Sequence, residues 1–102
     1  MMDPSKLADM MRQAQEMQEK LQRELAQKIV VGEAGGGLVK VVLNGMLEVK
    51  SVKIDKSAID ASDPTLLEDL VRAAVSQAIT AAEEARLEQT RQMAGGLGIP
   101  GL

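Results

Sequence analysis

Residues 33–45 read EAGGGLVKVVLNG, and the fold turns on what this stretch is for. A glycine triplet, Gly35-Gly36-Gly37, leads into an apolar run that ends on Asn44-Gly45. Glycine runs can cradle a phosphate. A phosphate loop, however, needs glycines that open a helix, with Lys and Ser or Thr behind them, so that helix N–H groups meet the anion. Here the glycines open the β-prone run Leu38-Val39-Lys40-Val41. They are therefore read as architecture: a flexible turn, or a place where another backbone passes too closely for a side chain. On the second view the triplet lets the chain cross into the sheet at a dimer core.

Asn-Gly between β-prone runs is a hairpin signal. Working outward from Gly45, LVKVVLNG and MLEVKSVKID become two antiparallel strands, and the β-branched Ile29, Val30 and Val31 supply a third ahead of the triplet. Val39, Val41 and Leu43 share one face. Leu47 and Val49 are out of phase with Val52 and Ile54. A bulge near Lys50-Ser51 accounts for that switch; so does a sheet covered on both faces.

Helices flank the strands. Asp3-Pro4 supplies a cap and a first-turn proline. Leu7, Met10, Ala14, Met17, Leu21 and Leu25 then recur every three or four residues, a narrow stripe on one helix face. Glu16 with Lys20, and Glu19 with Arg23, are spaced to pair on the exposed side. A helix of about 24 residues is about 36 Å long, so part of it projects beyond so small a body. After a connection containing Asp55, Asp60 and Asp63, Ser62 or Asp63 caps a second helix that begins at Pro64 and runs to about Met93. Its stripe is Leu67, Leu70, Val71, Ala74, Val75, Ala78, Ala82 and Ala85. One domain, residues 1–94, is expected, followed by a flexible Gly-rich tail, 95–102, in which Leu97, Ile99 and Leu102 could dock on a neighbour.

The fold class is α+β: a long helix, a three-stranded antiparallel sheet and a second long helix. Three strands cannot bury two long apolar stripes within one copy. The 102 residues contain no Phe, Tyr, Trp, Cys or His, so a lone chain has a modest core. Both features predict a homodimer. The expected core and dimer residues are Val39, Val41, Leu43, Val52, Ile54, Leu67, Leu70, Val71, Ala74 and Ala78. Gly35, Gly36, Gly37 and Gly45 are the structural glycines.

Without Cys or His, the usual nucleophiles, bases and soft metal ligands are gone. No activated nucleophile or tuned base stands out, and the loop carboxylates lack the EF-hand pattern. No enzyme activity, cofactor, metal or small-molecule substrate is expected. The chain shows no leader and no long apolar run, which fits a soluble cytosolic protein without a membrane partner.

Net charge is -3. Residues 1–28 carry five basic and five acidic side chains, residues 29–56 four and three, and residues 57–102 three and seven. Lys6, Arg12, Lys20 and Arg23 occupy an arc opposite the apolar stripe, shared with Asp9, Glu16 and Glu19. Charge alone favours a solvated face there over a phosphate contact. The Met stripe, with Met10, Met11 and Met17, is core or dimer seam, or an adaptable binding surface.

The long helix rich in Gln, Met and Lys, AGGGLVKVVLNG, LEVKSVKID, LLEDLVRAAVSQAITAAEE and the closing GGLGIPGL together resemble the YbaB/EbfC family of bacterial nucleoid-associated proteins across the whole chain. That resemblance implies an intertwined homodimer with long helices projecting like tweezer arms. It also implies binding to double-stranded DNA with little sequence preference, at the nucleoid in the cytoplasm, with effects on nucleoid organisation and gene expression. Lys6, Arg12, Lys20 and Arg23, with Arg86 and Arg91, are then the candidate phosphate contacts, chosen from charge and helix face. The rival function is a protein–protein adaptor using the Met-containing helix or the apolar tail.

Overall fold

In the computed structural model, which describes residues 3–96, Asp3 starts the first helix as its sequence predicts. Its side chain accepts from the Ser5 N–H at 3.1 Å, and Pro4 takes the first helical position. Helix α1 is Pro4–Gln27, β1 is Ile29–Ala34, β2 is Val39–Asn44, β3 is Val49–Ile54, and α2 is Pro64–Gly96; a 3-10 turn, Lys56–Ala58, precedes α2. The three strands are antiparallel in the order β1-β2-β3. This is the predicted helix, three strands, helix.

The glycine triplet is the turn between β1 and β2, which pair from Ile29 with Asn44 up to Ala34 with Val39. Gly35, Gly36 and Gly37 all have positive φ, 66°, 71° and 94°. Only glycine adopts that run cheaply. The expectation of a crossing is thereby corrected: the triplet is a tight reversal, and a methyl group at Gly36 would meet open space. The close backbone passage lies at Gly32 instead. A Cβ there would sit 2.0 Å from the Ala74 carbonyl oxygen and 2.5 Å from the Ala78 nitrogen. Helix α2 thus rests backbone to backbone on β1, which is why its stripe turns to alanine at Ala74, Ala78 and Ala82, all buried.

The Asn-Gly hairpin also forms. Gly45 is not in the left-handed region; Leu47 is, at φ 62°. The Leu47 N–H donates to the Asn44 carbonyl at 3.1 Å, and the Asn44 N–H to that of Glu48 at 3.1 Å, giving a three-residue loop with a left-handed last residue. Gly45 is glycine because α1 ends against it: a Cβ there would sit 2.8 Å from the Leu25 carbonyl oxygen, to which the Gly45 N–H donates at 2.8 Å. A bulge at Lys50 shifts the register, so that Val42 pairs with Ser51 and Leu43 with Val49. That settles the phase problem: Val49, Val52 and Ile54 line one face.

That face is the one α2 covers, because paired residues share a side and Val39, Val41 and Leu43 are their partners. Helix α2 packs on β1 and β2. Val39, Val41 and Leu43 are buried with Ala74 and Ala78, and Leu67, Leu70 and Val71 pack against them half-buried. Helix α2 stops short of β3. Val52 and Ile54 are therefore not in the core of the single chain; they are 51% and 39% exposed, and Val49 63%.

Helix α1 touches the body only near its C-terminal end. Leu25 is buried and Leu21 and Met17 half-buried, while Leu7 and Met10 are exposed. The molecule is 72 × 24 × 17 Å, so the predicted projection is real. Asp63 caps α2 through the Leu66 N–H at 3.4 Å; Ser62 instead donates to Asp60. Helix α2 carries on through Ala94, Gly95 and Gly96, beyond the expected break. A glycine costs about 1 kcal/mol against alanine, too little to stop a long helix outright. Leu97, Ile99 and Leu102 lie outside the described residues.

Candidate nucleic-acid interface

The candidate cations divide into matched and unmatched sets. Arg12 pairs with Asp9 at 3.0 Å and reaches Glu16 at 3.9 Å. Lys20 pairs with Glu24 at 3.9 Å, and Arg91 with Glu88 at 3.7 Å. The pairs expected from the sequence, Glu16 with Lys20 and Glu19 with Arg23, are thus replaced. Arg12 takes Glu16, and Lys20 turns to Glu24, whose half-buried carboxylate also accepts from the Gln89 amide. Among the described residues, Lys6, Arg23 and Arg86 form no ion pair. All six side chains are on exposed residues of α1 and α2. They do not converge on one point, since Lys6 and Arg12 are on the projecting half of α1 and Arg23 is near its base.

What fixes that base is Asn44, the residue that opens the β2–β3 turn. Asn44 is fully buried. Its amide donates to the Ala26 carbonyl at 3.2 Å and to Glu48 Oε1 at 2.7 Å, and its Oδ1 accepts from the Met46 and Glu48 N–H groups at 2.9 and 3.0 Å. One side chain joins the end of α1 to the β2–β3 hairpin and so sets the direction in which α1 leaves. The glutamate four residues on was the available sequence signal.

The loop carboxylates serve the backbone. The Ser57 N–H, with its hydroxyl, holds the Asp55 carboxyl below its usual range, and the Ser62 hydroxyl, with its N–H, does the same for Asp60. Among the described residues no helix is long and apolar enough to cross a membrane.

The YbaB/EbfC DNA-binding family model matches residues 2–97. The chain belongs to this family. It is 50% identical over 97 residues to a nucleoid-associated protein of Thermoanaerobacter pseudethanolicus, covering 92% of this chain and 87% of the relative. To a nucleoid-associated protein of Myxococcus xanthus it is 42% identical over 94 residues, 89% of this chain and 90% of the other. A crystal structure of an uncharacterized Helicobacter pylori protein superposes with a TM-score of 0.77 at 26% identity, over 91% of this chain and 98% of that one. The family is a DNA-binding one rather than a family of enzymes, and the exposed basic side chains are the groups to weigh.

Proposed function

We propose that this protein is a homodimer that binds double-stranded DNA at the nucleoid with little sequence preference, and so influences nucleoid organisation and gene expression. The observation that carries this reading is the DNA-binding family match across residues 2–97. The geometry supports it in two ways. The open β3 strip of Val49, Val52 and Ile54 continues the buried face of the sheet, and a second copy laid there completes the core. The projecting half of α1 then becomes one of two arms. Its side chains offer point charges for phosphates but no aromatic wedge for base steps.

Anisotropy titrations of two unrelated duplexes test this. Equal affinity for both, weakened when Lys6, Arg23 and Arg86 are changed together to Gln, is the expected result. A large preference for one duplex, or no effect of the triple change, contradicts the reading of specificity or of residues respectively. An adaptor role draws on the exposed Leu7, Met10 and Met11 of α1. Partners that survive nuclease in a pull-down, with no binding of bare duplex, would favour it.

A further inference from the structure

Residues 29–56 are the one stretch of the three in which basic side chains outnumber acidic ones. The helices match much of their charge locally, through Arg12, Lys20, Arg72 and Arg91. Lys50, Lys53 and Lys56 follow one another along β3 and the turn after it, all exposed, and form no ion pair among the described residues. Lys53 lies directly opposite Lys40 on β2. Both are on the face turned away from α2, since Lys40 alternates with the buried Val39 and Val41.

Like charges facing each other across a strand pair are unfavourable. Glu33 offsets Lys40 from the other side, at 3.7 Å. The other carboxylates of this stretch are held locally, Glu48 by the Asn44 amide and Asp55 by Ser57. Lysines on an edge strand can serve only to block strand pairing. That explains Lys50 or Lys53. It does not explain Lys40, on the central strand, or Lys56, beyond the ladder.

We infer that Lys40 and Lys53, on the sheet face opposite α2, together with Lys50 at the bulge and Lys56 in the turn after β3, form a second phosphate-contacting surface for duplex DNA. The inference rests on the DNA reading above and adds a site to it. The lysines are point charges without an arginine fork, so they contact backbone phosphates rather than base edges. Each contact releases counterions and adds about 0.9 to the slope of log affinity against log salt.

The test is an anisotropy titration of a labelled duplex with the full chain over a salt series. Wild type is compared with Lys50→Gln/Lys53→Gln/Lys56→Gln and with the corresponding triple Lys→Arg change, all checked for fold by circular dichroism. The Gln variant should show a slope shallower by about 2.7, so that its affinity falls about 40-fold less than wild type's between about 50 and about 200 mM salt. The Arg variant should keep the wild-type slope. Wild-type behaviour in the Gln variant overturns the inference while the DNA reading stands, as does a loss in the Gln variant that the Arg variant shares. No binding by wild type overturns both.

Discussion

Gly32 and Gly36 belong to the same hairpin, yet they are glycines for different reasons. Gly32 lacks a side chain because the backbone of α2 occupies the place of one. Gly36 lacks one because its φ is 71°. Gly32→Ala should therefore lower the unfolding free energy by about 3 kcal/mol or more through overpacking against a rigid helix. Gly36→Ala should cost only about 1 to 2 kcal/mol of left-handed strain. Urea midpoints at one protein concentration would compare them, and equal losses would show that the helix does not press on β1. Asp55 and Asp60 give a second test at this scale. Their pKa values are lowered in the folded state by Ser57 and Ser62. Their ionised forms therefore add stability above the unfolded carboxylate value of about 3.9, and that stability is lost as pH falls through the lower folded values. Asp55→Asn/Asp60→Asn should be less stable than wild type at pH 7, by a margin that closes in strong acid. A margin independent of pH would contradict this.

At the scale of elements, the helices and strands were legible because their signals are local. Asp3-Pro4 and Asp63-Pro64 mark helix starts at which each Asp caps the first turn, and the phase change in the third strand marked a real bulge at Lys50. What could not be read was which strand the second helix covers. The alternation places Val52 and Ile54 on the apolar face; only the contact of α2 with Gly32 shows that the helix lies over β1 and β2 and leaves β3 open. The consequence is measurable. Val52 is half exposed in one chain. If a second copy covers it, Val52→Glu buries an uncompensated charge and should weaken self-association by roughly 2 kcal/mol, about 30-fold. The fold should survive, since the side chain sits outside the single-chain core. Unchanged association in sedimentation equilibrium would move the dimer contact elsewhere.

For the whole molecule, charge total and composition pointed away from DNA: net charge is -3 and α1 is balanced. Residue order gave the family resemblance that the full-length match supports. The candidate site was only partly legible. Positions on the helices were evident from periodicity, but pairing was not, because Arg12 and Lys20 choose among several carboxylates one turn away. Nor could spacing alone show that Lys40 and Lys53 stand opposite each other, since the bulge sets that register. Paired as proposed, two 72 Å elongated chains meeting a duplex through few, scattered cations should bind weakly, with a shallow salt slope of about 0.9 per phosphate contact. The decisive measurement is the equilibrium affinity of wild type for an arbitrary duplex across a salt series, taken where light scattering gives twice the 10.9 kDa of one chain. A log-linear fall in affinity with salt, the same for unrelated duplexes, is the predicted result. A folded dimer that leaves duplex DNA unbound even at low salt would contradict it.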